Sequence, residues 1–154
     1  MLQKYLWIFF ISMLPIIELR GAIPVGVGMD LPLLSTYLVC IVGNILPVPF
    51  LILFSKTLLN WLSTWPKIGP FFQRFIKKAD EKARNLGKYE LFGLYLFVAI
   101  PLPGTGAWTG SVIAAILRMR LIKATIAIAA GVLTSGLIML LISQGFFNFL
   151  NFLF

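Results

Sequence analysis

The sequence predicts an all-α integral membrane protein built as an inverted repeat of two re-entrant helical hairpins. Each hairpin is followed by a spanning helix, and a basic amphipathic interfacial helix lies between the two units. Mean hydropathy is +0.97 and 60% of the residues are apolar, whereas soluble domains contain roughly 45–50%. Charged residues make up 12% of the chain, and two of its four apolar stretches are interrupted near their centres. We expect one membrane domain, 1–154, comprising a first hairpin-plus-helix unit (1–60), a basic linker helix (61–88) and a second unit with an interfacial tail (89–154).

The first apolar stretch covers about Tyr5–Met29 and does not have the pattern of a plain spanning helix. Glu18 and Arg20 lie at its centre. Five residues are expected to interrupt it: Pro15, Gly21, Pro24, Gly26 and Gly28. Because proline removes a backbone donor and glycine weakens a helix, we predict a helix–turn–helix hairpin.

The second and fourth stretches predict the spanning helices. The second, about Leu33–Thr57, is long enough to cross a hydrocarbon core of roughly 30 Å at about 1.5 Å per residue. A kink is expected from the residues Gly43, Asn44, Pro47 and Pro49. The fourth stretch is about Ala124–Gln144, and the aromatic tail Phe146–Phe154 is expected to lie at the membrane interface.

The third apolar stretch, about Tyr89–Leu117, is interrupted in its middle by P-L-P-G-T-G at Pro101–Gly106. Each half has about ten residues, so as a helix it reaches about 15 Å, only to mid-bilayer. An irregular backbone at that depth is tolerated where protein or a water-filled cavity surrounds it. We therefore interpret stretches one and three as re-entrant hairpins; two kinked full-span helices are the alternative.

The distribution of basic residues favours the re-entrant interpretation. If both hairpins re-enter, the loop containing Arg118, Arg120 and Lys123 lies on the same side as the segment Lys56–Lys88. That side then holds eleven Lys and Arg residues, eight from the segment and three from the loop, and Lys4 lies on the other side. Because cytoplasmic loops are enriched in Lys and Arg, we predict a multi-pass protein of the cell membrane, inner or plasma, with a cytoplasmic central segment and both termini outside.

The central segment Pro70–Leu86 predicts an amphipathic helix that ends at Gly87. Its apolar face would contain Phe71, Phe72, Phe75, Ile76, Ala79, Ala83 and Leu86, and its basic side Arg74, Lys77, Lys78 and Lys82. Such a helix lies against anionic lipids. It would serve either as a topology anchor or in specific lipid recognition, so membrane lipids are expected partners.

Glu18 and Arg20 are ionisable groups inside an apolar hairpin. A charge at depth costs about 2.5–3.5 kcal/mol on insertion scales, which indicates a function. Burial of a carboxyl group favours its neutral form and a nearby guanidinium favours its charged form. We therefore predict a proton-coupling site at Glu18, with movement of Arg20 loading or releasing the proton, and an anion or counter-charge site at Arg20. The alternative is a structural pair that seals the hairpin.

The glycine-rich segment Pro101–Gly110 is the second candidate site. It opens a half-helix near Gly106, whose free N–H groups suit an anion or a polar head group. The alternative is close helix packing through Gly106-x-x-x-Gly110. The substrate-binding residues predicted here are Pro101, Pro103, Gly104, Thr105, Gly106, Trp108 and Thr109, with Arg20 from the first hairpin. Asn44, a polar group in a spanning helix, is added to this set, although interhelical hydrogen bonding is its expected role.

Composition disfavours several other functions. The chain has no histidine, which removes His-based catalysis and most transition-metal sites; no metal and no cofactor are expected. Nucleic acid is not an expected partner, because the basic residues are segregated into loops that flank the membrane. A membrane enzyme is disfavoured by the absence of histidine and of paired carboxylates.

The motifs E-L-R-G-A-I-P at Glu18–Pro24 and P-L-P-G-T-G-A-W-T-G at Pro101–Gly110 together resemble the family named "putative small multi-drug export protein". The resemblance covers essentially the whole chain. That family is related in architecture to the DedA/VTT superfamily of re-entrant-hairpin membrane proteins, which resemble proton-dependent lipid transporters or scramblases. Glu18 looks like a counterpart of the early acidic residues of DedA proteins. Their second hairpin carries arginines, and none lies between Tyr89 and Leu117 here.

The resemblance implies a secondary transporter, proton-coupled, that exports or translocates a small amphipathic molecule. One alternative is a DedA-like transporter or flippase of a lipid-linked phosphate, and another is a membrane scaffold that does not transport. The expected partners are thus protons, membrane lipids and an amphipathic or lipid-phosphate substrate. Because four short elements form a small site for one chain, a homodimer is compatible with the sequence.

Overall fold

The computed structural model describes residues 1–67, 69–71, 73–74, 77–78, 81 and 88–153, and the regular secondary structure in these ranges is helical. The helices are α1 (Leu2–Met13), α2 (Glu18–Gly28), α3 (Leu33–Ile45), α4 (Val48–Ser63), α5 (Lys88–Ala99), α6 (Ala107–Ile116) and α7 (Leu121–Leu153). Most of the predicted amphipathic helix Pro70–Leu86, and its stop at Gly87, lies outside the described residues.

Helices α1 and α2 form the first helix pair. The chain leaves the helical conformation at Leu14–Ile17, where Pro15 cannot donate a backbone hydrogen bond. Lys4, in the first turn of α1, donates to the carbonyl of Met29 just after α2, at 2.9 Å. The two ends of the pair are therefore close together. Gly21, Pro24 and Gly26 were also predicted to interrupt this stretch, and that prediction is wrong: α2 continues through all three residues.

Helices α3 and α4 follow one another across a turn at Leu46–Pro47, within the region where a kink was predicted. Together they form a candidate membrane span, Leu33–Ser63, of 31 residues. The second candidate span is Leu121–Phe146, of 26 residues, within α7. Helix α7 is longer than the fourth stretch predicted, because the aromatic tail continues it as helix to Leu153.

Helices α5 and α6 form the second helix pair. They are 12 and 10 residues long, and the predicted interruption is present between Ala99 and Ala107. Gly104 lies in this segment with a φ of 83°, a left-handed conformation that glycine adopts without steric cost.

The two helix pairs pack around the long helices. In the first pair α1 packs on α3, and α2 packs on α3 and on α7; in the second pair α5 packs on α7, and α6 packs on α4 and on α7. Each short inner helix, α2 or α6, therefore contacts a long helix of the other half of the chain. The fully buried core includes Ile8, Ile23, Cys40, Ile52 and Ile128.

Helices α2 and α6 end in the same way. Each is followed by a non-glycine residue in the left-handed region, Asp30 (φ 58°) or Arg118 (φ 49°). The next residue, Leu31 or Met119, is buried and donates its N–H to the carbonyl five residues earlier, at 3.2 and 3.0 Å. This is the bond of a Schellman-type helix end. The equivalent positions are 88 residues apart (118 − 30), as are the first residues of α3 and α7 (121 − 33).

Candidate functional site

The interruptions of the two helix pairs lie against one another. The indole Nε1 of Trp108, in the first turn of α6, donates to the carbonyl of Met13 at the end of α1, at 3.0 Å. From the other side, Glu18 and Arg20 reach the interruption of the second pair. The two motifs that sequence analysis identified are thus parts of one site.

Glu18 places its carboxylate at the N-terminus of α6. Its side chain is 5% exposed, and Oε1 accepts the backbone N–H of Trp108 at 3.2 Å. The first N–H groups of a helix have no partner within the helix and carry a partial positive charge, so an acid is stabilised there. Glu18 itself has a φ of 50°, a conformation that is uncommon outside glycine and is enriched at functional sites.

Gly106 allows this approach because it has no side chain. A Cβ at this position would overlap the Glu18 carboxylate. A Cβ at Gly110, by contrast, would lie only 2.7 Å from the Val98 side chain of α5 and overlap it, as close helix packing predicts. The two glycines of the G-x-x-x-G spacing therefore have different partners.

Arg20 binds the other end of the same interruption. Its Nη1 donates to the carbonyl of Leu102, and its Nη2 donates to the carbonyl of Ile100 at 3.3 Å and to the hydroxyl of Thr105 at 3.1 Å. These carbonyls follow the C-terminus of α5, where a cation is favoured. Glu18 therefore binds the start of α6, and Arg20 binds the segment that directly follows α5.

The hydroxyl of Thr105 makes further hydrogen bonds within the segment that joins α5 to α6. It lies 2.8 Å from the carbonyl of Ile100 and 2.9 Å from that of Leu102. Arg20 binds the same two carbonyls. Side-chain hydrogen bonds from Arg20 and Thr105 therefore hold the segment between α5 and α6, where the regular backbone hydrogen bonds of a helix are interrupted.

A cleft of about 630 Å³ opens between the two interruptions. It is lined by Pro15, Ile16, Ile17, Glu18, Arg20, Gly21, Pro101, Pro103, Gly104, Gly106, Thr109 and Met139. Of the predicted substrate-binding residues, Thr105 and Trp108 do not line the cleft but hold its walls together. Among the described residues, no three Cys, Asp or Glu side chains come together as metal ligands.

Two expectations change with this geometry. Arg20 was predicted to form an anion or counter-charge site together with the glycine-rich segment; in the structure Glu18 binds the N-terminus of α6, and Arg20 binds the carbonyls that follow α5. Asn44 was expected to bond to another helix, which is wrong: it is fully buried in α3, and both polar side-chain atoms lack a hydrogen-bond partner among the described residues. It does not line the cleft and lies in the last turn of α3.

Sequence reasoning missed several lining residues. Pro15 was identified as a helix breaker and not as part of a site, although the interruption it causes forms one wall of the cleft. Met139 of α7 also lines the cleft. It lies in the apolar run Leu137–Ile142 of α7, where nothing in the sequence distinguishes it from its neighbours.

Comparison with known proteins gives one family. A family model described as "Putative small multi-drug export protein" matches residues 18–138, a range that contains both motifs and eight of the twelve residues that line the cleft. No curated protein matches the chain, and no solved structure matches it.

Proposed function

Because the chain belongs to the "Putative small multi-drug export protein" family, we propose that it is a membrane transporter, and not an enzyme, in which Glu18 couples proton movement to the passage of a small amphipathic molecule. The observation that carries this proposal is the placement of Glu18. It is a buried carboxyl group at the wall of the cleft, and it holds the first turn of α6.

The proposed architecture is two re-entrant hairpins in an inverted repeat. Lys4 bonded to Met29 supports a first hairpin whose two ends lie on one side. Lys123 lines a groove together with Leu91, so the starts of α5 and α7 are close together, as a second hairpin requires. The shared ending of α2 and α6 supports the repeat. Paired interrupted segments of this kind are a pointer to transporters with a site at the hairpin tips.

The proposed coupling step is protonation of Glu18. The charged carboxylate is attracted by the positive end of the α6 dipole and accepts the Trp108 N–H. A proton that reaches Glu18 through the cleft neutralises the carboxyl group and weakens both interactions. We expect the first turn of α6 to separate from α2 as a result, while Arg20 still holds the carbonyls after α5. The cleft would thereby change shape with the protonation state.

The walls of the cleft favour an amphipathic substrate with a neutral or cationic head. Ile16, Ile17 and Met139 offer apolar surface beside the carboxylate of Glu18. A lipid-linked phosphate is disfavoured at this site, because Glu18 already occupies the N-terminus of α6 and the Arg20 guanidinium is bound to carbonyls. An anionic head would have to displace both.

Proton-coupled uptake by reconstituted vesicles tests the proposal. Full-length protein is placed in vesicles with an internal pH dye, and tetraphenylphosphonium, a lipophilic cation, is supplied as the probe. Glu18→Gln keeps the shape of the side chain, so it should insert normally and lose at least tenfold of the probe-dependent proton flux. Asp30→Asn is the matched control: it makes the same acid-to-amide change at an exposed left-handed residue and should keep the flux.

Two results would contradict the proposal. Wild-type proton flux in Glu18→Gln would exclude this carboxyl group as the coupling site. Absence of any probe-dependent flux in wild-type protein, tested with lipophilic cations and neutral amphipaths, would favour a scaffold that does not transport.

A further inference from the structure

A second pocket, of about 240 Å³, lies at the opposite end of α6 from the cleft. It is lined by Lys56, Leu59, Asn60, Ala115 and Arg118. Two of these five residues are basic and none is acidic. The proposed transport site does not use them, so their convergence needs a separate explanation.

The pocket is built from one face of α4 and the end of α6. Lys56 and Asn60 are four residues apart on α4, so they lie on the same face. The ammonium of Lys56 donates to the carbonyl of Met119 at 2.5 Å, and Nη2 of Arg118 donates to Oδ1 of Asn60 at 3.2 Å. These two contacts hold the cationic groups of two different elements at the same pocket.

The backbone at Arg118 indicates that its side chain has a role. Its φ is 49°, and this position after a helix is usually filled by glycine or asparagine. An arginine there is strained where a glycine would not be. Non-glycine residues in this conformation are enriched at functional sites.

The surroundings of the pocket place it at the level of lipid head groups. Trp61 follows Asn60 directly and lies edge-to-face with Trp65, with ring centroids 4.8 Å apart. Both indoles are exposed, and exposed tryptophans at the end of a spanning helix are typical of the membrane interface. Phosphate is the common anionic group at that level.

We propose that Lys56, Asn60 and Arg118 form a binding site for a phosphate group. The guanidinium supplies a planar pair of donors that matches two phosphate oxygens, and the ammonium supplies a compact point charge. The amide of Asn60 fixes the guanidinium. A phosphate of this kind is carried by the head group of an anionic lipid or by free inorganic phosphate.

Native mass spectrometry of the full chain in neutral detergent tests the site, with phosphatidylglycerol as the first probe. The wild type should bind the lipid with a measurable dissociation constant. Arg118→Gly and Lys56→Gln should each weaken binding at least fivefold, and Arg118→Lys should weaken it less, since it keeps the charge and loses the fork. Arg120→Gln is the matched control, because it removes an exposed loop cation that does not line the pocket; it should change binding less than twofold.

A melting curve of each variant separates binding from folding. Arg118→Gly removes the left-handed strain, so its melting temperature should equal or exceed that of the wild type while lipid binding falls. Titration with inorganic phosphate distinguishes the source: saturable binding that Lys56→Gln also weakens assigns the site to free phosphate, and binding of the lipid alone assigns it to a head group. Wild-type lipid binding in Arg118→Gly and Lys56→Gln, or an equal loss in Arg120→Gln, would overturn the proposal.

Discussion

Gly106 keeps the Glu18 carboxylate against the first turn of α6 because it has no side chain. Its backbone is extended, with φ −137° and ψ −168°, so alanine can adopt the same conformation. The added Cβ of Gly106→Ala would overlap the carboxylate and displace it from the Trp108 N–H. Because a buried polar group left without its partner costs about 1–3 kcal/mol, the free energy of unfolding in detergent should fall by about that amount, and proton flux should fall with it.

Gly93→Ala is the control for this substitution. A Cβ on Gly93 of α5 would meet no atom within 4 Å, and alanine is favoured over glycine inside a helix by roughly 0.5–1 kcal/mol. This variant should be neutral or slightly stabilised. Wild-type stability in Gly106→Ala would mean that the carboxylate moves without cost and that its contact with α6 is not important.

The identities of the site residues could be predicted at this scale, but their pairing could not. Charge at depth identified Glu18 and Arg20, and the glycines identified the start of α6. The C-terminus of α5 and the N-terminus of α6 carry opposite partial charges. Whether Glu18 or Arg20 reaches a given helix end depends on the direction of the backbone at Glu18, whose φ is 50°. No residue pattern encodes that angle, because glutamate rarely adopts it.

At the scale of elements, Arg20 connects α2 to the segment that joins α5 and α6. Its guanidinium contacts three acceptors: the carbonyls of Ile100 and Leu102 and the hydroxyl of Thr105. Arg20→Lys keeps the charge but cannot reproduce the fork. We expect hydrogen–deuterium exchange of the amides at 100–108 to be faster by roughly tenfold, which corresponds to about 1.4 kcal/mol. Arg120→Lys, in an exposed loop, should leave this exchange unchanged; equal exchange in Arg20→Lys and the wild type would contradict the role of Arg20.

The helix boundaries show which of the predicted helix-breaking prolines interrupt a helix and which do not. Pro15 and the pair Pro101 and Pro103 lie in real interruptions, whereas Pro24 lies inside α2. A single proline removes one hydrogen bond, and a helix packed on both sides can tolerate that loss. Helix α2 contacts both α3 and α7. Tertiary packing of this kind cannot be deduced from the local sequence.

At the scale of the whole molecule, each inner helix packs on its own half and also on a long helix of the other half. Helix α2 packs on α7, and α6 packs on α4. Spacing of breakers and glycines suggested two similar units, but not that each unit would support the other. The tips of the two pairs also contact one another, through Glu18, Arg20 and Trp108. We therefore expect the proposed movement of α6, which starts at Glu18, to move α4 as well, because the two helices pack together.

The membrane topology gives the last prediction. Lys56 contacts Met119, and Arg118 contacts Asn60, so the end of α4 and the end of α6 lie at the same level of the molecule. Both basic loops should therefore be on one side, and the positive-inside rule makes that side cytoplasmic. The only native cysteine, Cys40, is fully buried, so we expect it not to react with the label. Single cysteines are introduced as Gln3→Cys, Lys78→Cys and Arg120→Cys, all at exposed positions.

In intact cells an impermeant maleimide should label Gln3→Cys and leave the other two unlabelled, and after permeabilisation all three should react. If α5 and α6 instead crossed the membrane as one kinked helix, Arg120→Cys would be labelled from outside while Lys78→Cys remained protected. That pattern would remove the re-entrant second hairpin and, with it, the inverted repeat. It would also place the partners of the Lys56–Met119 and Arg118–Asn60 hydrogen bonds on opposite sides of a hydrocarbon core of roughly 30 Å, which a hydrogen bond cannot span. The labelling at position 120 therefore tests the fold and the sidedness of the phosphate site in one measurement.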